Sequence, residues 1–174
     1  MSMVPEHGIG PRLAGRLRGA EGTTIVEFAI SALVLFSLLF GIMEASLMFF
    51  ALNFVSEAAR EGARWAMVRG STSCTNTPTL TDCDATGTNI QSYVQGLGYP
   101  GITPSSVQVT TTWETATTSG SPATTTWSTC SSGTCNAPGN AVNVQVTYPF
   151  VFGAPHVPVM TISMTATSQM VIAQ

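Results

Sequence analysis

The strongest constraint on this chain is an uncharged apolar run, Phe28–Met43 (FAISALVLFSLLFGIM), bracketed by Glu27 and Glu44. Apolar character begins at Ile25 and continues past Glu44 as ASLMFFALNFV to Val55. The hydrocarbon core of a bilayer, about 30 Å thick, takes about 20 helical residues at 1.5 Å each. Ile25 to Leu47 meets that requirement if Glu27 and Glu44 lie near the two interfaces. Their separation of seventeen positions corresponds to roughly 26 Å of helix. A secretory signal would instead end at a small-x-small site after about 7–15 apolar residues. Ala29-Ile30-Ser31-Ala32 comes too early for that, and the run continues well beyond it. The sequence therefore predicts a retained membrane-spanning helix.

Charge is distributed as unevenly as hydropathy. The 174 residues contain no lysine, and the basic residues are Arg12, Arg16, Arg18, Arg60, Arg64 and Arg69. Beyond Arg69 the only charged residues are Asp82, Asp84 and Glu114. Charged residues make up 9% of the chain, against about 25% in an average soluble domain. That argues against a highly charged disordered chain and against a highly soluble cytosolic enzyme. The net charge of -3 gives no basis for a nucleic-acid partner, which calls for a basic domain. The arginines ahead of the span predict a cytoplasmic N-terminus and an exported remainder. Residues 1–22 read as a polar leader, in which Gly8, Gly10, Pro11, Gly15 and Gly19 disfavour stable structure.

Residues 45–69 read as a continuation of the helix. Leu47, Phe50, Phe54, Ala58, Trp65 and Val68 recur at helical spacing, with Glu57, Arg60, Glu61 and Arg64 on a polar face. Glu57–Arg60 and Glu61–Arg64 can pair at i,i+3, and Gly70 offers a C-terminal stop. A polar loop at 71–87 precedes a short helix at 88–97, with Thr88 as its cap. Three turn-bounded segments then alternate or favour strand: 106–118, Ala123–Thr129 and 141–148. A connection punctuated by Pro149, Pro155 and Pro158 leads to a last strand at 159–172. The expected fold class is α+β: a small antiparallel sheet with one face covered by the amphipathic half of a long helix. The expected domains are a leader at 1–22, the long helix at 23–69 and an exported domain at 70–174.

Four cysteines allow three pairings. Export lets disulfides persist, and Cys74–Cys83 with Cys130–Cys135 is the economical choice, since each pair staples a Gly/Ser/Thr-rich loop. Zinc would want Cys-x-x-Cys pairs or nearby histidines, and His7 and His156 lie far from both pairs. Asp82-x-Asp84-x-Thr86-Gly87 matches the first half of an EF-hand loop, but Tyr93 occupies the place of the bidentate glutamate and Cys83 interrupts the loop. Capping of the following helix by Asp84 or Thr86 is the competing role. Trp113 and Trp127, on facing strands, are either packing residues or a pair able to bind a sugar or a surface. Thr110–Thr112 and Thr124–Thr126 favour strand or O-glycosylation. No nucleophile elbow, phosphate loop or zinc-protease motif is present, so the expectation is a non-enzyme with no cofactor and no metal.

Two arrangements remain. Gly22-Thr23-Thr24-Ile25-Val26-Glu27-Phe28 opens the apolar run, and Ala59-Arg60-Glu61-Gly62-Ala63-Arg64 closes the helix. A carboxylate inside a hydrophobic segment costs about 2.5–3.5 kcal/mol when central. If the leader is removed after Gly22, Thr23 becomes a charged N-terminus and Glu27 the fifth residue. The amine of one subunit can then neutralise the carboxylate of a neighbour. On these two blocks, the basic leader, Phe40-Gly41 and the late segment Val142–Phe150, the chain resembles the TadE-like family, small pilin-like proteins of tight-adherence (Tad/Flp) pilus systems.

That resemblance implies a minor pilin or pseudopilin in the bacterial inner membrane, with its C-terminal domain outside the cytoplasm. It implies a cut by a prepilin peptidase between Gly22 and Thr23, with Glu27 as the assembly carboxylate. Phe28 stands where the main Flp pilins tend to have tyrosine, and Arg60, Glu61, Gly62 and Arg64 carry the second family block. The implied partners are the prepilin peptidase, other pilin-like subunits and the inner-membrane assembly platform. The implied roles are biogenesis, priming or the tip. The competing function is an unprocessed single-pass protein whose exported domain binds a surface or ligand.

Overall fold

The computed structural model describes residues 14–153 and 158–174, with side chains from residue 22 onward. Residues 1–13 of the expected leader, with His7 and Arg12, and the stretch holding Pro155 and His156 lie outside the described residues. The chain divides into one unit ending at Met43 and a second, Glu44–Gln174.

Helix α1 runs from Ala14 to Met67. It begins inside the expected leader, which the glycine content had marked as unstructured. Each glycine costs a helix about 1 kcal/mol relative to alanine, but extending an existing helix adds a hydrogen bond per residue without a new nucleus. In the first unit, the large apolar side chains from Ile25 to Met43 are exposed. Among the described residues this is one helix long and apolar enough to cross a membrane.

The second unit is an α+β fold. Its sheet has the order β2-β1-β3-β4, formed by β1 (Gln108–Ser119), β2 (Thr124–Thr129), β3 (Ala141–Phe152) and β4 (Met160–Val171). All three pairings are antiparallel. The alternation read at 141–148 holds: Val142, Val144 and Val146 are fully buried, and Met164 joins them from β4. Strand β3 also continues through Pro149 to Phe152, where a connection was expected. Proline lacks an N–H and belongs where no neighbour needs one. The β1 ladder on β3 ends at Thr147, so beyond that point β3 is an edge on that side.

The second half of α1 covers this sheet. Its buried stripe is Ala51, Phe54, Val55, Ala58, Ala59, Ala63 and Ala66. Leu47 and Phe50, expected on that face, stay 49% and 42% exposed. They border a groove at the far end of β3 with Tyr148 and Phe150. Further along the seam, a Cβ built on Gly62 would lie 2.9 Å from Val94 Cγ2 and 3.2 Å from Val144 Cγ1, so this point of the seam has no room for a side chain.

Between α1 and β1 lie a single turn, α2 (Ser73–Asn76), inside the loop expected to be irregular, and α3 (Gly87–Gln95). The cap of α3 is Thr86, one of the two capping candidates, and not Thr88: its hydroxyl accepts from Asn89 N–H, and Asn89 Oδ1 accepts from Thr86 N–H at 3.0 Å. That reciprocal capping box satisfies two helix-end donors. Ile90 and Val94 of α3 are buried, and Gln95 Nε2 donates to Val107 O at 2.9 Å.

Gly70 does not cap α1, which ends three residues earlier. A Cβ there would lie 1.9 Å from Gln174 O and 2.6 Å from Asn136 O. Glycine is required because two backbones cross at this point. The same corner joins the last strand to the helix end through Ala173 N–H to Met67 O at 2.9 Å.

Candidate functional site

The two expected family blocks occupy different parts of α1. Gly22, Thr23, Glu27 and Phe28 lie on exposed helix, with Phe28 73% exposed. Thr23 and Glu27 are four residues apart, which places them on one face of α1. Gly22 lies within the helix, and the space where its Cβ would sit has nothing within 4 Å. A cut at Gly22–Thr23 needs local unwinding of α1, and a helical glycine lowers that cost by about 1 kcal/mol relative to alanine.

The second block divides by face. Ala59, Gly62 and Ala63 are buried against α3 and the sheet. Arg60, Glu61 and Arg64 point outward and pair as expected, Arg60–Glu57 at 3.7 Å and Arg64–Glu61 at 3.5 Å. Pairs this exposed contribute a few tenths of a kcal/mol each. The block is therefore chiefly a packing motif that seats the helix, with an ionic outer face.

Next to it, Trp65 stacks on Tyr93 at 5.0 Å, and the Arg69 guanidinium sits 4.1 Å from the Trp65 ring centroid. Arg69 Nε also donates to Thr81 O at 3.1 Å. These contacts tie the end of α1 to the loop after α2. On the other flank, Tyr99 meets Phe54 edge-on at 4.7 Å. Burial, then the carboxylates of Glu57 and Glu61, push the Tyr99 hydroxyl above its usual 10.0. Its neutral form supports the fold at all pH values below about 10, and the support is lost only as pH rises through the higher folded value.

Both expected disulfides form, Cys74–Cys83 and Cys130–Cys135. The first closes the loop that carries Asp82, and Asp84 follows directly after Cys83. Both aspartates sit in the left-handed region, at φ 53 and 55, which aspartate tolerates in tight turns. Asp84 Oδ1 accepts from Asn136 Nδ2 at 2.6 Å, and Asp82 Oδ1 accepts from Asn89 Nδ2 at 3.3 Å. Among the described residues no three His, Cys, Asp or Glu side chains gather to hold a metal. The carboxylates act as loop ties, and Asp84 is not the cap of α3.

Replacing Cys74 and Cys83 together by serine should cost about 2–3 kcal/mol, because a closed loop of about ten residues removes that much unfolded-chain entropy. Thermal unfolding of the paired variant against the parent measures it. An unchanged midpoint would show that the tie across Asp84 and Asn136 suffices alone.

The tryptophans do not form a pair. Trp127 stands opposite Ala116 and Trp113 opposite Val142. Side chains alternate along β1, so the two rings project from opposite faces of the sheet. Trp113 instead lines an open cavity of about 420 Å³ with Asp84, Thr86, Gly87, Cys135 and Asn136. The sequence held no sign of this grouping, which depends on a contact between Asp84 and Asn136 across 52 residues. The threonine runs fall on strands, with hydroxyl ladders such as Thr118–Thr125 at 3.2 Å.

No curated protein and no solved structure matches the chain. A family model described as TadE-like protein matches residues 22–64, the stretch that contains Gly22, Glu27, Phe28 and the 59–64 block, so the helix of this chain is TadE-like in sequence.

Proposed function

We propose that this protein is a pilin-like subunit of a tight-adherence type IV pilus, acting in pilus biogenesis, priming or at the tip. The TadE-like match associates the chain with Tad pilus systems, whose TadE-like members are structural and not enzymatic. The observation that carries the reading is the coincidence of that match with a bare apolar helix headed by Glu27 and seated, at its far end, on an antiparallel sheet. A single pass through the inner membrane, N-terminus inside, follows from Arg12, Arg16 and Arg18 ahead of the span. A prepilin peptidase then removes the leader after Gly22. The freed Thr23 amine of one subunit meets Glu27 of a neighbour in the apolar bundle, which relieves the cost of a lone buried carboxylate. Other pilin-like subunits and the assembly platform are the partners this geometry serves.

The cleavage step has its own test. Gly22→Ala creates no clash in the folded chain, since nothing lies within 4 Å. The variant should reach the membrane at normal abundance and keep its leader, seen as a heavier band than the parent on a denaturing gel. A variant that still loses the leader refutes the site.

A further inference from the structure

The end of the Glu44–Gln174 unit at which α1 enters carries an unusual concentration of exposed apolar side chains. Leu47, Phe49, Phe50 and Leu52 are 49%, 60%, 42% and 44% exposed. At 100° per residue they point at roughly 0°, 200°, 300° and 140° around the helix axis. They occupy the arc from roughly 140° through 200° and 300° to 360°; the remaining arc holds Ala51, which is buried, and Met48, which packs on the core. On the face away from the sheet the character then changes abruptly: Asn53, Glu57, Arg60 and Arg64 are exposed and polar.

The same end of the sheet is apolar too. Tyr148 and Phe150 line a groove of about 150 Å³ together with Leu47, Phe50 and Ala51, which places the far end of β3 beside this helical turn. The last rung of the β3–β4 hairpin is Phe152 opposite Met160. There Val151 is 58%, Val159 73% and Met160 54% exposed. Val151 alternates with Phe150 and Phe152, so the hairpin end is apolar on both faces.

One docked protein covers one side of a surface. Apolar side chains over more than half the circumference of a helix that continues a membrane span, and on both faces of an adjacent hairpin, fit the medium that the span enters. We propose that this end of the unit, the α1 turn Leu47–Leu52 with the β3–β4 hairpin end, is sunk in the headgroup layer of the bilayer that α1 crosses. The proposal rests on the membrane-spanning reading of α1. Its depth agrees with that reading. With Glu44 at the hydrocarbon edge, Leu47 to Phe50 lie roughly 5–9 Å further along the axis. Leu47 then lies within a headgroup layer about 5–8 Å deep on each side, with Phe49 and Phe50 at its aqueous edge. The polar turn from Asn53 to Glu57 then lies in water, and the hairpin is a second, non-spanning foot.

Lipid photocrosslinking of the full chain tests this, in nanodiscs of phosphatidylethanolamine and phosphatidylglycerol. A p-benzoylphenylalanine is placed singly at Met160, Val159, Leu35 or Thr125, and lipid adducts are read by mass. Met160 and Val159 should give about tenfold more lipid adduct than Thr125 on β2, approaching Leu35 in the span. Using both positions guards against one substitution disturbing the hairpin. Yields at Met160 and Val159 equal to Thr125, with Leu35 strongly labelled, overturn the foot and leave the span intact. Adducts there to a second copy of the chain overturn it in favour of a protein interface. No lipid adduct at Leu35 refutes the spanning reading and the foot together.

Discussion

Gly62→Val should destabilise the Glu44–Gln174 unit by about 3 kcal/mol, at the upper end for an overpacked core. The new Cβ alone arrives 2.9 Å from Val94 Cγ2 and 3.2 Å from Val144 Cγ1. Those partners cannot withdraw, because both valines are buried in the core, with relative exposures of 2% and 0%. The helix gains a few tenths of a kcal/mol from losing a glycine, which does not offset the clash. The midpoint of thermal unfolding, followed by near-ultraviolet circular dichroism in detergent, should fall by about 10 °C. Gly41→Val is the control: nothing lies within 4 Å of its Cβ position, and the midpoint should not move. An unchanged midpoint for Gly62→Val would mean that α1 does not lie against α3 and β3 as described.

Glu27→Gln should have the largest functional effect. It keeps size and helix propensity, and it removes the charge that a neighbour's amine is proposed to meet. A neutral side chain enters the bilayer more readily than a carboxylate, so membrane insertion and abundance should hold or rise. Pilus assembly, counted by electron microscopy in cells carrying the variant, should fall by at least about tenfold, which corresponds to about 1.4 kcal/mol of lost subunit contact. Normal piliation would remove Glu27 from the assembly step. Glu44→Gln, at the other end of the span, should leave piliation near normal.

Much of this fold was readable from residue order, and the exceptions share a cause. Helical periodicity located α1, and strict alternation located β3 from Val142 to Tyr148. Periodicity weighs side chains by apolarity, however, and does not say where along α1 the contact with the sheet begins. Leu47 and Phe50 therefore looked like core, while Ala51, Phe54, Val55, Ala58, Gly62 and Ala66 form it. Pro149 looked like a break because its missing N–H matters only where a strand has a partner on that side, which register alone decides. Thr86 and Thr88 are equal as cap residues, and the Asn89 side chain selects Thr86. The cysteine pairs were legible because each closes a short loop. The Trp113 cavity was not, since it depends on long-range pairing between Asp84 and Asn136.

The central claim, a leader cut off ahead of a pilin-like helix, is tested most directly by the intact mass of the protein purified from native membranes. The predicted result is a mass for a chain that begins at Thr23 and carries both disulfides. A mass that retains the residues up to Gly22, in cells whose pili are assembled normally, would contradict it.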